Sequence, residues 1–226
     1  MNSKKTHILA LVGMVSLCCA VMLLVDGVLR PDYWLKSIAK LTLFLLCPLL
    51  YSRIDRQFRP KQLFAISRRG LLPALGLGCG VFVFIMAAYW IFSQLGDFSA
   101  ITGLLEENIG VDRDNFLPVA IYISFVNSLL EEFFFRGFAF FTLKPLTGRT
   151  FAYGFSALAF AVYHTAMMLG WWDWWLFALA LAGLFVGGLL FDFLNERTGT
   201  IWSSWMVHMF ANFAINTVGC LLFGIL

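Results

Sequence analysis

The chain has 226 residues, 61% of them hydrophobic and only 13% charged, with a mean hydropathy of +0.83. Soluble domains run at about 45–50% apolar, so this composition excludes a soluble globular domain and is that of a polytopic membrane protein. The net charge of +3 is too small and too scattered to suggest nucleic acid or another polyanion as a partner.

A transmembrane helix needs about 20 mainly apolar residues. Seven runs meet that requirement: residues 8–28, 34–51, 71–95, 117–141, 151–169, 174–194 and 200–224. The first follows Lys4 and Lys5 as a signal peptide would, but it is long for a cleaved segment and lacks a small-x-small site, so a retained anchor is expected. There is no internal repeat, low-complexity tract or loop long enough to fold alone. The fold class expected is therefore all-α: a polytopic transmembrane helical bundle of about seven spanning helices, within a range of six to eight. It forms one integral membrane domain over 1–226. Cys18, Cys19, Cys47, Cys79 and Cys220 all lie in apolar runs, are odd in number and show no CxxC spacing. They read as packing residues rather than disulfides or metal ligands.

Lysine and arginine are retained on the cytoplasmic side of a membrane, so Lys4 and Lys5 place the N-terminus inside. Two crossings later Arg53, Arg56, Arg59, Lys61, Arg68 and Arg69 stand against a single Asp55, which returns the chain to the cytoplasm. After the third crossing Asp97, Glu106, Glu107, Asp112 and Asp114 outweigh Arg113, as suits the outer face. Seven crossings would leave the C-terminus outside. The basic loop reads first as a topogenic element touching anionic lipid headgroups. The bacterial plasma membrane is the expected location.

The fourth run contains "NSLLEEFFFRGFAFF", Asn127 to Phe141, with two glutamates and an arginine among phenylalanines. A charge in hydrocarbon costs about 2.5–3.5 kcal/mol on insertion scales, so such residues face a bundle interior. On a helix Glu132 and Arg136 are i,i+4 neighbours able to pair, while Glu131 points about 100° away, with Asn127 one turn before it. Two later runs carry "FAVYH", giving Phe160 and His164, and "HMFAN", giving His208 and Asn212 on one helix face. Each set alone has an ordinary structural explanation: a bonded core histidine, a packing asparagine, an ion pair. Depth argues for a common purpose. At about 1.5 Å per residue, Glu131, His164, His208 and Asn212 lie roughly 15, 20, 12 and 18 Å from the cytoplasmic ends of their spans. Together they outline a polar cavity near mid-membrane.

The succession EExxxR at Glu131, Glu132 and Arg136, FxxxH at Phe160 and His164, and HxxxN at His208 and Asn212 resembles the CPBP (CAAX protease and bacteriocin-processing, or Abi) family of intramembrane proteases. That family includes the type II CAAX prenyl endopeptidases. The motifs are weak singly and specific in this order. They lie in the part of the chain from about 117 to 224, whereas residues 1–115 carry no signature. The resemblance implies an intramembrane endopeptidase. Glu131 matches the water-activating glutamate, assisted by His164; His208 and Asn212 match the pair proposed to stabilise the oxyanion. Glu132 and Arg136 match a supporting pair, and Phe160 the aromatic of the second motif, better suited to a wall. A peptide or lipidated protein is the implied substrate.

The residues suit this chemistry, since amide hydrolysis needs a base for water and donors aimed at the developing oxyanion. Serine and cysteine mechanisms fit less well: GxSxG is absent and no cysteine falls in the polar layer. For cofactors two readings stand. Glu131, His164 and His208 would form a His2Glu set of the kind that binds catalytic zinc, but HExxH is absent, and the metal-free reading is preferred. Alternatives from other classes are a non-catalytic scaffold or bacteriocin-immunity protein on the same fold, and a proton-coupled transporter. Transporters favour inverted repeats or broken helices, and neither is evident.

Overall fold

The computed structural model describes residues 2–54, 58–65, 68–95, 98, 100–171 and 173–226, without the side chains of residues 2, 3, 54, 68 and 69. Asp55, Arg56 and Asp97, and the side chains of Arg68 and Arg69, therefore lie outside the described residues. Every regular element among those described is helical. Six helices are long and apolar enough to cross a membrane: α1 Lys4–Leu29, α2 Tyr33–Arg53, α3 Gly70–Phe92, α5 Phe116–Thr147, α7 Trp174–Thr198 and α8 Trp202–Leu222. Large apolar side chains such as Leu72, Val83, Phe84 and Trp90 stand exposed along α3, as a lipid-facing surface requires. This is an integral membrane protein with an all-α bundle.

Two stretches depart from the sequence expectation. The acidic loop expected on the outer face contains a helix, α4 Ala100–Ile109. The predicted fifth span, 151–169, is instead α6 Arg149–Tyr163 followed by a single turn, Thr165–Met168, after which Leu169 is extended. Fifteen residues reach about 22 Å, short of the roughly 30 Å hydrocarbon core. His164 itself ends α6. Its backbone N–H bonds to Ala161 O at 3.1 Å instead of one residue further back, and its ring Nδ1 occupies the Phe160 carbonyl at 2.7 Å. The side chain has replaced the helical hydrogen bond.

Local sequence accounts for other features. Asp32 caps α2, accepting from the backbone N–H groups of Trp34 and Leu35 at 3.0 and 3.1 Å. Pro48 brings no N–H and crowds the carbonyl four residues back, at Phe44; the preceding turn, Thr42–Leu46, widens to the π form. Gly148, at φ 91°, makes the sharp reversal between α5 and α6.

The axis of the bundle is α5. Phe133, Phe134, Phe135, Phe138 and Phe140 are all buried, so this stretch is covered on every side, by α1, α2, α6 and α7 among others, while α8 packs on the part of α5 before it. Phe44 of α2 stacks on Phe134 at 4.0 Å and 3°, with Phe135 and Tyr163 edge-on or tilted at 5.5 and 5.2 Å. The phenylalanine run is a packing device that seats the charged residues between its rings. Cys18, Cys19 and Cys220 are buried and unpaired, whereas Cys79 is exposed on α3 rather than packed in the core.

Candidate active site

The segment of α5 that carries EExxxR is wound more loosely than an α-helix. Glu132–Phe140 takes the π form, as does Ile123–Asn127 one turn earlier, with Ser128 N–H bonding to Ile123 O. Wide turns leave carbonyls with spare accepting capacity and recur at functional sites. Here α8 takes them up. Asn212 Nδ2 donates to Ile123 O at 3.2 Å, Asn216 Nδ2 to Ala120 O at 3.0 Å, and Trp205 Nε1 to Phe125 O at 3.2 Å. These bonds fix α8, and with it His208, against α5.

Around Glu131 three helices converge. Its Oε2 lies 3.6 Å from His164 Nε2 and 3.7 Å from His208 Nε2, and has no hydrogen-bond partner among the described residues. Its Oε1 accepts from Asn127 Nδ2 at 2.9 Å and from Lys40 Nζ at 3.1 Å. Asn127 also accepts from Lys40, through Oδ1, at 2.6 Å. One carboxylate oxygen is thus anchored and the other is presented to two imidazoles.

The tautomers follow from the partners. A carbonyl can only accept, so His164 donates from Nδ1 to Phe160 O and turns its Nε2 toward Glu131. His208 Nδ1 lies 2.9 Å from Glu132 Oε1; donation to that carboxylate likewise leaves Nε2 facing Glu131. The sequence pairing of Glu132 with Arg136 appears at 3.3 Å, but Glu132 serves His208 as well. Phe160 forms the wall between, edge-on to His164 at 4.6 Å and to His208 at 5.7 Å. Asn212 shares the helix face of His208, and its amide is committed to the Ile123 carbonyl rather than aimed at Glu131.

Two contributors escaped the sequence reading. Lys40, in the second apolar run, reaches Glu131; Asp192, in α7, lies 3.6 Å from Arg136 Nε and accepts from Ser156 Oγ at 3.0 Å. Both are charges inside hydrophobic runs, the same signal that singled out Glu131. "LKSIAKLTLF" even repeats its lysines at i,i+4. Their partners lie 91 and 56 residues away, and no local pattern reveals that.

Glu131, His164 and His208 carry the donor types of a zinc site, yet their arrangement does not fit a metal. No group of three or more His, Cys, Asp or Glu among the described residues is placed to hold one. The Lys40 ammonium, against the same carboxylate, would also repel a divalent cation.

The fold and site define an integral membrane protein with a carboxylate and two imidazoles gathered among its helices. Residues 113–214 match the family model described as Type II CAAX prenyl endopeptidase Rce1-like. The match supports a CAAX/CPBP-like intramembrane protease and bears out the resemblance carried by the three motifs, all of which it spans. Comparison with curated proteins and with solved structures gave no significant match. Lys40 stands outside the matched stretch.

Proposed function

We propose that this chain is an intramembrane endopeptidase that hydrolyses a peptide bond of a membrane-associated or lipidated substrate by means of a water activated by Glu131. The observation that carries the proposal is the pair of Nε2 atoms, 3.6 and 3.7 Å from an otherwise unpartnered oxygen of Glu131. In this reading a water beside Oε2 gives its proton to the carboxylate while His164 Nε2 accepts its second hydrogen as a hydrogen bond. The hydroxyl oxygen forms the new bond to the scissile carbonyl carbon, whose π electrons move onto oxygen. His208, oriented by Glu132, donates to that oxyanion when it carries a proton on Nε2. Collapse breaks the C–N bond, and the proton held by Glu131 passes to the leaving amine. Asn212 then acts mainly by holding α8 in place, a change from the donor role that the family resemblance implied.

The part from about 117 to 224 supplies the motif residues, within a single domain spanning 1–226. The test is cleavage of a panel of lipidated and unlipidated peptides by purified protein. Glu131→Gln, His164→Ala and His208→Ala are each expected to remove nearly all cleavage while remaining folded and membrane-inserted. Folded Glu131→Gln working at the wild-type rate would rule out water activation by this residue.

A further inference from the structure

The N-terminal helices carry no motif, and the family match begins only at residue 113, yet one of them enters the site. Lys40 of α2 is buried, and its ammonium meets Asn127 Oδ1 at 2.6 Å, Glu131 Oε1 at 3.1 Å and the ring of Tyr163, whose centroid is 5.0 Å away. Charge balance gives this contact its meaning. Arg136 faces two other carboxylates, Glu132 at 3.3 Å and Asp192 at 3.6 Å. Among the described residues, Lys40 is the lysine or arginine paired with Glu131. An unpaired carboxylate buried in a membrane bundle is strongly disfavoured.

We propose that Lys40 is the positioning residue and counter-ion of Glu131. With Asn127 it clamps Oε1, so that the carboxylate stays anionic and its Oε2 is held toward His164 and His208. The helical part outside the family match is then a component of the active site, not only an anchor. Lys40 reaches the site because the i,i+4 spacing puts it one turn beyond Lys36, which is itself buried and paired with Asp26 at 2.8 Å. The wide turn beginning at Thr42 directly follows it.

This inference rests on the peptidase reading, and two separate measurements keep the fates of the two apart. The first is kinetic and uses whichever peptide of the panel the wild-type protein cleaves. Lys40→Met is expected to lower kcat by about 100-fold or more, the scale of losing one preorganised electrostatic contact, with KM little changed; Lys40→Arg is expected to retain more of kcat than Lys40→Met. The second is thermal unfolding in one detergent and needs no activity. Lys40→Met leaves Glu131 uncompensated and is expected to melt lower than wild type, while Lys40→Met with Glu131→Gln melts higher than Lys40→Met alone. Should Lys40→Met fail to fold, recovery of a folded double variant is the same result. A double variant that is no more stable than Lys40→Met overturns the pairing. A wild-type kcat for folded Lys40→Met overturns the positioning role. If the wild-type protein cleaves nothing while the thermal coupling is present, the peptidase reading fails and the counter-ion stands.

Discussion

Arg136 has no exposed surface, and its surroundings state the demands of a charge in this bundle. Its guanidinium lies against Glu132 and Asp192 and over the rings of Phe160 and Phe191, at 4.2 and 4.9 Å from their centroids. Removing one partner of a buried pair costs about 3–5 kcal/mol, and here the loss would leave two carboxylates facing each other. Arg136→Met is therefore expected to lower thermal stability and cleavage together. Adding Glu132→Gln should recover part of the stability, and adding Asp192→Asn as well should recover more. Melting temperatures of the single, double and triple variants in one detergent check the order; a triple variant that melts with the single one would show that the two carboxylates do not depend on this cation. Glu132→Gln by itself should also slow cleavage, because it weakens the acceptor that orients His208.

At the scale of the helix, small residues decide how closely elements meet. A Cβ placed on Gly188 of α7 would stand 2.9 Å from Ala157 Cα of α6 and 3.3 Å from Arg136 Nη2. Backbone that close cannot yield cheaply, and overpacking of this kind costs about 1–3 kcal/mol. Gly188→Ala is expected to lower the melting temperature by separating α6 from α7. Because α6 carries Phe160 and ends at His164, cleavage should fall with it. A substitution at Gly183, whose Cβ would meet nothing within 4 Å, serves as the comparison and should leave stability near wild type. Equal losses at the two glycines would argue against close α6–α7 contact as the cause. The wide turns of α5 show the same logic from the opposite side: loosened carbonyls there are taken by Asn212, Asn216 and Trp205 of α8.

For the whole molecule, orientation follows from charge. Arg59 and Lys61 are exposed after the second span, whereas Glu106 and Glu107 belong to α4, after the third. The basic segment should lie in the cytoplasm and α4 on the outer face, as reporter fusions or cysteine labelling near Arg59 and Glu107 would read. Labelling of both positions from the same side would refute this.

Membership of a membrane bundle, the order of the long helices and the residues of the three motifs were legible in the sequence. Apolar runs of spanning length have few solutions in lipid, and a charge inside such a run stands out against its neighbours. The i,i+4 contact of Glu132 with Arg136 and the i,i+4 approach of Asn127 to Glu131 were legible too, since helix periodicity alone sets them. Other features depend on which helices face each other. Tertiary packing brought Lys40 and Asp192 to their partners, gave His208 to Glu132, and turned the amide of Asn212 to a backbone carbonyl. It also ended α6 at His164, where a ring nitrogen took the place of a backbone N–H. Hydropathy and periodicity describe one helix at a time. The pairing of charges between helices is fixed only when the rings of Phe44, Phe134 and Phe135 interlock and set how each helix is rotated about its own axis.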